Sequence, residues 1–252
     1  MPTAAHGAPK THELLIATLA DLLVGCRHVA IGAASPLPTA AALLAKKRSG
    51  GALRVSAQGS GPLGFFTDGG VELFDCAAQG RIDAFFLSGG QIDGEGNINL
   101  VGVGSYPRSD KRWGGCFGST FLYFLVPRVI LFREEHTKRV MVEKVDFISA
   151  PGRSEKGVYR RGGPFALLTG LALFDYDKAR GRFRLRSVHP GHSLEEVLDN
   201  TGFLFDRPEK VPQTPAPDGD TLTLIRGAIG AEIAEAYPRF AATTFAQASV
   251  SG

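Results

Sequence analysis

Cysteine is scarce in this chain of 252 residues, and the scarcity excludes several classes of protein. The three cysteines, Cys26, Cys76 and Cys116, are odd in number, and none belongs to a C-x-x-C pair. A disulfide framework has no support, so we expect a reduced, cytoplasmic setting. The H-x-x-x-H and H-E-x-x-H spacings are also missing, and the sequence therefore predicts no metal site.

Long apolar runs and an excess of one charge are missing as well. The longest apolar stretch, residues 121–132, is interrupted by Pro127 and Arg128 and is too short to cross a bilayer. Residues 1–10 have no apolar segment of the signal-peptide kind, and we expect a loose N-terminal tail there. The 28 basic and 25 acidic residues leave a net charge of +3. We therefore expect neither a membrane nor a nucleic-acid partner.

The chain does contain a regular alternation of helical and strand patterns. Helices are predicted at residues 11–24, 39–48 and 71–79, and strands at residues 28–33, 52–57 and 81–87. This order predicts an α/β fold with a mainly parallel sheet flanked by helices. Because no linker divides the sequence, we expect one domain over residues 11–252.

The patterns beyond residue 120 are shorter. Strands are predicted at residues 128–132, 145–149, 165–174 and 182–189. Asp175-Tyr176-Asp177 is predicted to be the turn of a hairpin formed by the last two. Ser193 and Glu196 form a capping box that begins a helix, and Gly202 is a suitable end for it.

Glycine is concentrated in residues 88–120, where nine positions are glycine. A mostly apolar strand leads into this segment, and Gln91, Asp93 and Asn97 lie among the glycines. Since buried polar groups need partners, these three side chains are predicted to face a bound substrate. A tight turn with Asx-type hydrogen bonds is the alternative for this part of the chain. The calcium-loop pattern fails, because Ile98 stands where its central glycine belongs.

The second half of the glycine-rich segment combines basic residues with a further glycine pair. Arg108, Lys111 and Arg112 precede Trp113 and are candidates for binding phosphate groups, or alternatively form a solvated loop or subunit contact. The backbone N–H groups of the tripeptide Gly114-Gly115-Cys116 are predicted to form an oxyanion site. A simple glycine turn is the alternative.

One further glycine motif resembles a dinucleotide-binding loop. Gly59-Ser60-Gly61-Pro62-Leu63-Gly64 fits G-x-G-x-x-G and follows a predicted strand. Binding of the pyrophosphate requires a helix to begin at this point. Pro62 and the following Phe65-Phe66 argue against such a helix, so we do not expect a nicotinamide or flavin cofactor.

Several sequence blocks together resemble the B subunit of glutaconate CoA-transferase, a class I CoA-transferase. These blocks are FFLSGGQID at residues 85–93, GNIN at 96–99, KVDF through SAPG at 144–152, and EEVLDNTGF at 195–203. The likeness spans about residues 12–235. It implies an α/β fold with a mainly parallel sheet and a B subunit that works with an A subunit, often as A2B2. It also implies an acyl-CoA substrate, with coenzyme A as part of that substrate and no further bound cofactor, and oxyanion-hole amides at Gly114 to Cys116.

The sequence departs from the family at the nucleophile. Family members use a glutamate in an E-x-G context, and here Ala57 takes its place between Ser56 and Gln58. None of these side chains can form the acyl anhydride of CoA transfer. Either Asp68 or Glu72 replaces the glutamate, or the chemistry has changed. A precedent within the resemblance is the cholesterol ring-cleaving CoA hydrolase branch, whose B-like subunit lacks the glutamate and whose base lies on the A subunit.

The resemblance thus leaves three hypotheses. The first is a hydrolase with its base on the A subunit, in which Gln91 and Asn97 orient the acyl group. The second is true CoA transfer through a realigned carboxylate. The third is a non-catalytic subunit that binds CoA or stabilises its partner. The predicted substrate-binding residues in all three are Gln91, Asp93, Asn97, Arg108 and Arg112.

Overall fold

The computed structural model describes residues 8–245, whose contacts cluster into two compact units. The first unit contains the chain up to Thr67 and again from Ala216, and the second contains Asp68–Pro215. Each unit is described by itself, and the single domain expected over residues 11–252 stays a prediction. Residues 1–7 of the expected tail lie outside the described part, and residues 8–10 are exposed.

Helices and strands alternate up to residue 87, and beyond it strands or helices follow one another in runs. The helices are α1 (Thr11–Asp21), α2 (Pro36–Arg48), α3 (Gly69–Ala78), α4 (Ser119–Leu125), α5 (Leu194–Asn200), α6 (Gly219–Leu224), α7 (Gly230–Ala236) and α8 (Pro238–Thr244), with a π-helical turn at Ile225–Ile229. The strands are β1 (His28–Ile31), β2 (Arg54–Ala57), β3 (Ala84–Leu87), β4 (Gln91–Ile92), β5 (Ile98–Asn99), β6 (Gly102–Val103), β7 (Lys111–Arg112), β8 (Arg128–Arg133), β9 (Pro164–Thr169), β10 (Ala172–Asp177) and β11 (Arg182–Val188). Within residues 8–245, no helix has both the length and the apolar character that a membrane crossing needs.

The first unit is built on the parallel pair β1–β2, in which His28 lies opposite Arg54 and Ile31 opposite Ala57. All four residues of β1 are buried. Helix α1 is fixed to the C-terminal helical segment by an ion pair, because the Glu13 carboxylate accepts from Arg226 Nε at 2.6 Å and Nη2 at 2.8 Å. Burial raises the pKa of Glu13, but the bonds from Arg226 and the Lys10 amide outweigh it and lower the pKa below its usual value.

The main sheet of the second unit has five strands in the order β11–β10–β9–β8–β3, and β4–β5 and β6–β7 form two small hairpin sheets. The β3–β8 and β8–β9 pairs are parallel, whereas β9–β10 and β10–β11 are antiparallel. Together with β1–β2, three of these five pairs are parallel, and helices connect β1 with β2 and precede β3 and β8. The predicted α/β fold with a mainly parallel sheet is confirmed.

Two strand predictions are wrong. Residues 145–149 form no strand, because their first two backbone amides donate to side chains and not to a neighbouring strand. Val145 N donates to Asp93 and Asp146 N donates to Gln91. The segment is followed by an isolated β-bridge and not by a ladder. Residues 175–177 belong to β10 and are not a turn. Asp177 instead closes the turn after β10, since its Oδ1 accepts from the amides of Ala179 and Arg180.

Ser193 caps α5 as predicted, but the second bond of the predicted capping box does not form, because the Glu196 carboxylate lies 2.9 Å from His192 Nδ1. Ser193 Oγ accepts from Glu196 N at 3.1 Å, and the helix ends before Gly202. A Cβ at Gly202 would lie 2.5 Å from Met141 O, so only glycine fits there. Helix α4 was not predicted, because only Val126 and Pro127 separate it from β8 within one mostly apolar stretch.

Two buried histidines join the strands of the second unit. His136 Nδ1 lies 2.7 Å from Thr169 Oγ1, and its Nε2 lies 2.9 Å from Thr201 Oγ1. His189 Nδ1 lies 2.8 Å from Thr214 Oγ1, and its Nε2 lies 3.0 Å from Thr169 O. Burial lowers the pKa of each histidine to about 4. Both rings are therefore neutral in the folded protein at pH 7.

We predict that this histidine pair makes the protein acid-sensitive. The unfolded chain binds protons at a pKa near 6.5, above the folded pKa of about 4. The free energy of unfolding is therefore highest above pH 6.5 and decreases as the pH falls towards 4. Each histidine contributes on the order of 3 kcal/mol to this decrease. Urea unfolding at pH 7, 6 and 5 measures it, and His136→Gln should flatten the pH dependence. The exposed neighbour Lys138→Gln is the control; equal slopes in all three proteins would contradict the prediction.

Candidate active site

The end of β2 carries Ser56 and Ala57, and Gln58 follows it; these are the residues predicted to lie where the family has its glutamate. Ser56 is fully buried and Ala57 is 1% exposed. Gln58 is half-buried, and its amide donates to Ile31 O at 2.9 Å. Of these three predicted site residues, Gln58 alone presents its side chain to solvent. No carboxylate occurs in residues 49–67.

Ser56 is paired with a histidine that the sequence did not indicate. His28 Nε2 lies 2.8 Å from Ser56 Oγ, which is the spacing of a nucleophile and its base. However, Ser56 is inaccessible and His28 is only 6% exposed. The rings of Phe65 and Phe66 lie 5.7 and 6.1 Å from the imidazole. We therefore assign this pair a structural role, fixing β2 against β1.

The loop after β2 does not form a dinucleotide site. Residues 58–64 form turns, in which Leu63 N donates to Ser60 Oγ at 3.3 Å. The next helix, α3, begins only at Gly69. Its N-terminus is therefore separated from the G-x-G-x-x-G residues, and the helix start required for pyrophosphate is missing at the motif.

The polar residues of the glycine-rich segment form a buried network in the second unit. Asp93 Oδ1 accepts from the amides of Glu95 and Asn97, both at 3.1 Å. Asp93 Oδ2 accepts from Asn97 Nδ2 at 3.1 Å and from Val145 N at 3.4 Å. Burial raises the pKa of Asp93, and these four donors oppose that rise. The Asx-type turn, the alternative considered from the sequence, is what the geometry contains.

The same network fastens the hairpin β4–β5 to the segment at residues 143–152. Gln91 Oε1 accepts from Asn99 Nδ2 at 2.7 Å and from Asp146 N at 3.0 Å. Gln91 Nε2 donates to Asp146 Oδ2 at 3.2 Å. Asn97 Oδ1 accepts from Gly152 N at 3.0 Å. Every polar atom of the Gln91 and Asn97 side chains is thereby engaged.

This geometry changes the interpretation of three predicted substrate-binding residues. Gln91, Asp93 and Asn97 are 6%, 4% and 6% exposed, and their polar atoms already have protein partners. Direct contact with an acyl group would break those bonds at a cost of about 1–3 kcal/mol each. The burial and the internal bonds favour a positioning role for these three residues over direct contact with a substrate.

The glycine loop, residues 113–118, lies against this network. A Cβ at Gly90 would overlap the Trp113 ring, so glycine is required for the loop to pack there. Gly115 N donates to Leu100 O at 3.1 Å, which commits one of the three predicted oxyanion amides. Within the part of the chain described, the amides of Gly114 and Cys116 have no hydrogen-bond acceptor. Two of the three predicted donors thus remain available, and the oxyanion role stays a prediction.

The basic residues before the loop are on the surface. Arg108 is exposed, and Lys111 and Arg112 form the exposed strand β7. The Arg112 guanidinium lies 5.5 Å from the centre of the Tyr106 ring, which itself lies 5.0 Å from Phe147. These cations are available to a phosphate-bearing ligand, because neither Arg108 nor Arg112 forms an ion pair with a carboxylate in residues 8–245.

The two carboxylates considered as replacements for the family's glutamate lie at the beginning of α3. Asp68 is exposed and precedes the helix, and Glu72 is in its first turn. Glu72 Oε2 accepts from Asp68 N at 3.4 Å, which caps the helix. A structural use for Glu72 is thus present, and neither residue belongs to the unit that carries Ala57. Among the described residues, no group of histidines, cysteines and carboxylates is arranged to hold a metal ion.

Comparison with known proteins identifies the family. The family model described as Coenzyme A transferase matches residues 7–200. The chain therefore belongs to the coenzyme A transferase family, and the resemblance seen in the sequence is confirmed.

Three curated relatives are components of two kinds of enzyme. The B subunit of 3-oxoadipate CoA-transferase from Pseudomonas knackmussii is 33% identical over 165 residues, which is 63% of this chain. The B subunit of glutaconate CoA-transferase from Acidaminococcus fermentans is 31% identical over 148 residues, or 56% of this chain. The cholesterol ring-cleaving hydrolase IpdB subunit from Rhodococcus jostii is 30% identical over 159 residues, or 62% of this chain. The matches span 62%, 54% and 62% of those relatives, less than two thirds of their lengths.

Solved structures share the fold over a larger part of the chain. The crystal structure of the decarboxylase AibA/AibB is 26% identical, with a TM-score of 0.75, and the match covers 88% of this chain and 98% of that one. Glutaconate coenzyme A-transferase from Acidaminococcus fermentans gives a TM-score of 0.76 at 23% identity, covering 87% and 94%. The second likeness supports the fold alone.

We predict that Asn97→Ala destabilises the second unit. The substitution leaves Gly152 N without an acceptor and takes one donor from Asp93, both buried. The free energy of unfolding should fall by roughly 2–3 kcal/mol, measured by chemical denaturation. Arg108→Ala, at an exposed site without hydrogen bonds to the described residues, is the control and should change it by less than about 0.5 kcal/mol. Equal free energies of unfolding for Asn97→Ala and Arg108→Ala would show that the network contributes little to stability.

Proposed function

We propose that this chain is the B subunit of a two-subunit enzyme that acts on an acyl-CoA by hydrolysis. In this reaction the chain forms no covalent intermediate, and the base that activates water lies on an A subunit. The observation that carries the proposal is the end of β2, where Ala57 replaces the glutamate nucleophile. Ser56 is fully buried against His28, and Gln58 has no nucleophilic atom.

The chain's own contribution is electrostatic and positional. Attack of water on a carbonyl carbon places negative charge on the carbonyl oxygen, and N–H groups that already point at that oxygen lower the barrier. The amides of Gly114 and Cys116 are the donors for this task, since neither has a protein acceptor in residues 8–245. Gly115, whose amide is bonded to Leu100 O, anchors the loop between them.

The neighbouring residues support this assignment. The network of Gln91, Asp93 and Asn97 holds the frame on which the glycine loop rests. The exposed cations Arg108 and Arg112 have the chemistry to bind the phosphates of coenzyme A.

True CoA transfer is the second candidate, favoured by the two CoA-transferase B subunits among the relatives. It requires a carboxylate that forms a mixed anhydride and then an enzyme–CoA thioester. Asp68 and Glu72 are the residues considered for that role. The capping bond between them ties Glu72 to the start of α3 and argues for the hydrolytic reaction.

A borohydride experiment separates the two reactions. The chain is co-purified with the product of the neighbouring reading frame and assayed against a panel of acyl-CoA esters. With the best substrate, borohydride should not inactivate the complex and should leave no modified peptide by mass spectrometry, while free CoA and acid are released. Inactivation that requires acyl-CoA and is abolished by Glu72→Gln or Asp68→Asn would establish transfer instead.

A matched pair of glycine substitutions tests the glycine loop. Gly115 and Gly191 have φ values of +93° and +88°, and a Cβ at either would meet no atom within 4 Å. Alanine should therefore cost each variant the same 1–2 kcal/mol of stability. Gly115→Ala should also lower kcat by about 10- to 100-fold by moving the neighbouring amides, with KM little changed. Gly191→Ala should keep the kcat of the unmodified complex; equal kcat values in both variants would remove the loop from catalysis.

A further inference from the structure

A small basic cavity in the second unit has no role in the proposed reaction. It has a volume of about 240 Å³ and lies at residues 152–164 and the end of β10. Arg153, Arg160 and Lys178 line it, and no aspartate or glutamate does. Within residues 8–245, none of the three cations forms an ion pair with a carboxylate. Three positive charges around one cavity repel one another unless an anion is present.

Arg160 is the most deeply placed of the three cations. Its Nη1 donates to Pro151 O at 2.8 Å and its Nη2 to Tyr123 O at 3.0 Å, which fixes the guanidinium plane. Its Nε is buried and has no hydrogen-bond partner. A buried N–H without an acceptor is costly, and the described part of the chain supplies no acceptor for this one.

The other walls add donors of the same kind. Gly163 faces Arg160, since a Cβ there would lie 3.7 Å from Arg160 Nε, and the Gly163 amide has no acceptor among the described residues. Ser154 contributes a hydroxyl without a described partner. Lys178 Nζ donates only a 3.4 Å bond, to Pro127 O. Burial and then the charge of Arg160 lower the pKa of Lys178.

We propose that this cavity binds a phosphoryl group, with Arg153, Arg160 and Lys178 as its ligands. Guanidinium groups match the oxygens of phosphate, and two bonds to backbone carbonyls already fix the plane of the Arg160 guanidinium. The volume is below the roughly 300–1,000 Å³ of pockets that enclose whole small molecules. The site therefore accepts inorganic phosphate or the phosphate end of a larger molecule that stays outside.

None of the residues that line the cavity belongs to the glycine loop, although Gly152 also donates to Asn97 of the buried network. The cavity lies where β8 and β9 begin, because it is lined by Gly163 and Pro164 and because Lys178 bonds to the residue before β8. In an open sheet of this class, catalytic sites lie beyond the carboxyl ends of the strands, at the opposite edge. The glycine loop follows the carboxyl end of β3. Phosphate binding here does not depend on the hydrolytic reaction; only the identification of CoA as its source rests on the proposed function.

Calorimetric titration of the full chain with inorganic phosphate, at constant ionic strength in chloride buffer, tests the site. The chain should bind phosphate saturably, and Arg153→Gln and Lys178→Gln should each weaken the affinity about tenfold or more. Both side chains are exposed, so folding should persist, which circular dichroism checks. Lys156→Gln removes the same charge from an exposed position outside the cavity and should bind like the unmodified chain.

Equal phosphate affinity in the four proteins, or no saturable binding to the unmodified chain, would overturn the proposal. Competition identifies the source of the phosphoryl group once binding is seen. Displacement of phosphate by CoA but not by dephospho-CoA assigns the site to the ribose phosphate of CoA. Displacement by both assigns it to the pyrophosphate, and displacement by neither assigns it to free phosphate.

Discussion

The carboxylate of Asp93 is the point on which the second unit depends. Its two oxygens accept four hydrogen bonds, from the turn that follows it and from Val145 in a distant segment. A carboxylate has about four acceptor positions, so none remains for a ligand. It also has no cation partner in the described part of the chain, and N–H donors alone offset its burial. The residue that the sequence suggested for substrate binding thus serves to shape the backbone.

The turn held by Asp93 is fastened again from its other side. Tyr123 donates its hydroxyl to Gly96 O and Tyr176 donates its hydroxyl to Glu95 O, both at 2.7 Å. Burial raises the pKa of Tyr176 to about 12, which keeps this donor protonated throughout the physiological range. Arg160 then bonds to the carbonyl of Tyr123. One continuous set of hydrogen bonds therefore extends from the glycine-rich hairpin to the basic cavity.

The sequence predicted the elements well where the signal was local. The α/β alternation, the Ser193 cap and the failure of the G-x-G-x-x-G motif all follow from neighbouring residues. The sequence predicted poorly where the partner is distant. Residues 145–149 look like a strand, but their amides donate to side chains some 50 positions earlier, at Gln91 and Asp93. The His28–Ser56 pair likewise arises from strand register, which spacing along the chain does not indicate.

The sequence drew attention to the region of the candidate site, and the roles of its residues stay predictions. Glycines and polar residues at 88–120 do mark a tightly constructed segment, but polarity alone cannot distinguish a ligand contact from an internal hydrogen bond. The glycine at Gly90 illustrates the point, because it makes room for the Trp113 ring and not for a substrate. The basic cavity was overlooked because its residues, from Arg153 to Lys178, are spread over a loop and a strand end without any motif.

The change at Ala57 is more than the loss of one reactive group. Its methyl group is 1% exposed at the end of β2, and its strand neighbour in the register is Ile31 of β1, itself fully buried. A glutamate in this packing would bury a carboxylate, at a cost that only a cation or several donors can offset. The strand end is therefore built around a small apolar side chain, and restoring the carboxylate would require repacking its surroundings. This packing favours the proposed reaction, whose base lies on another chain, over one that needs a flexible carboxylate at this position.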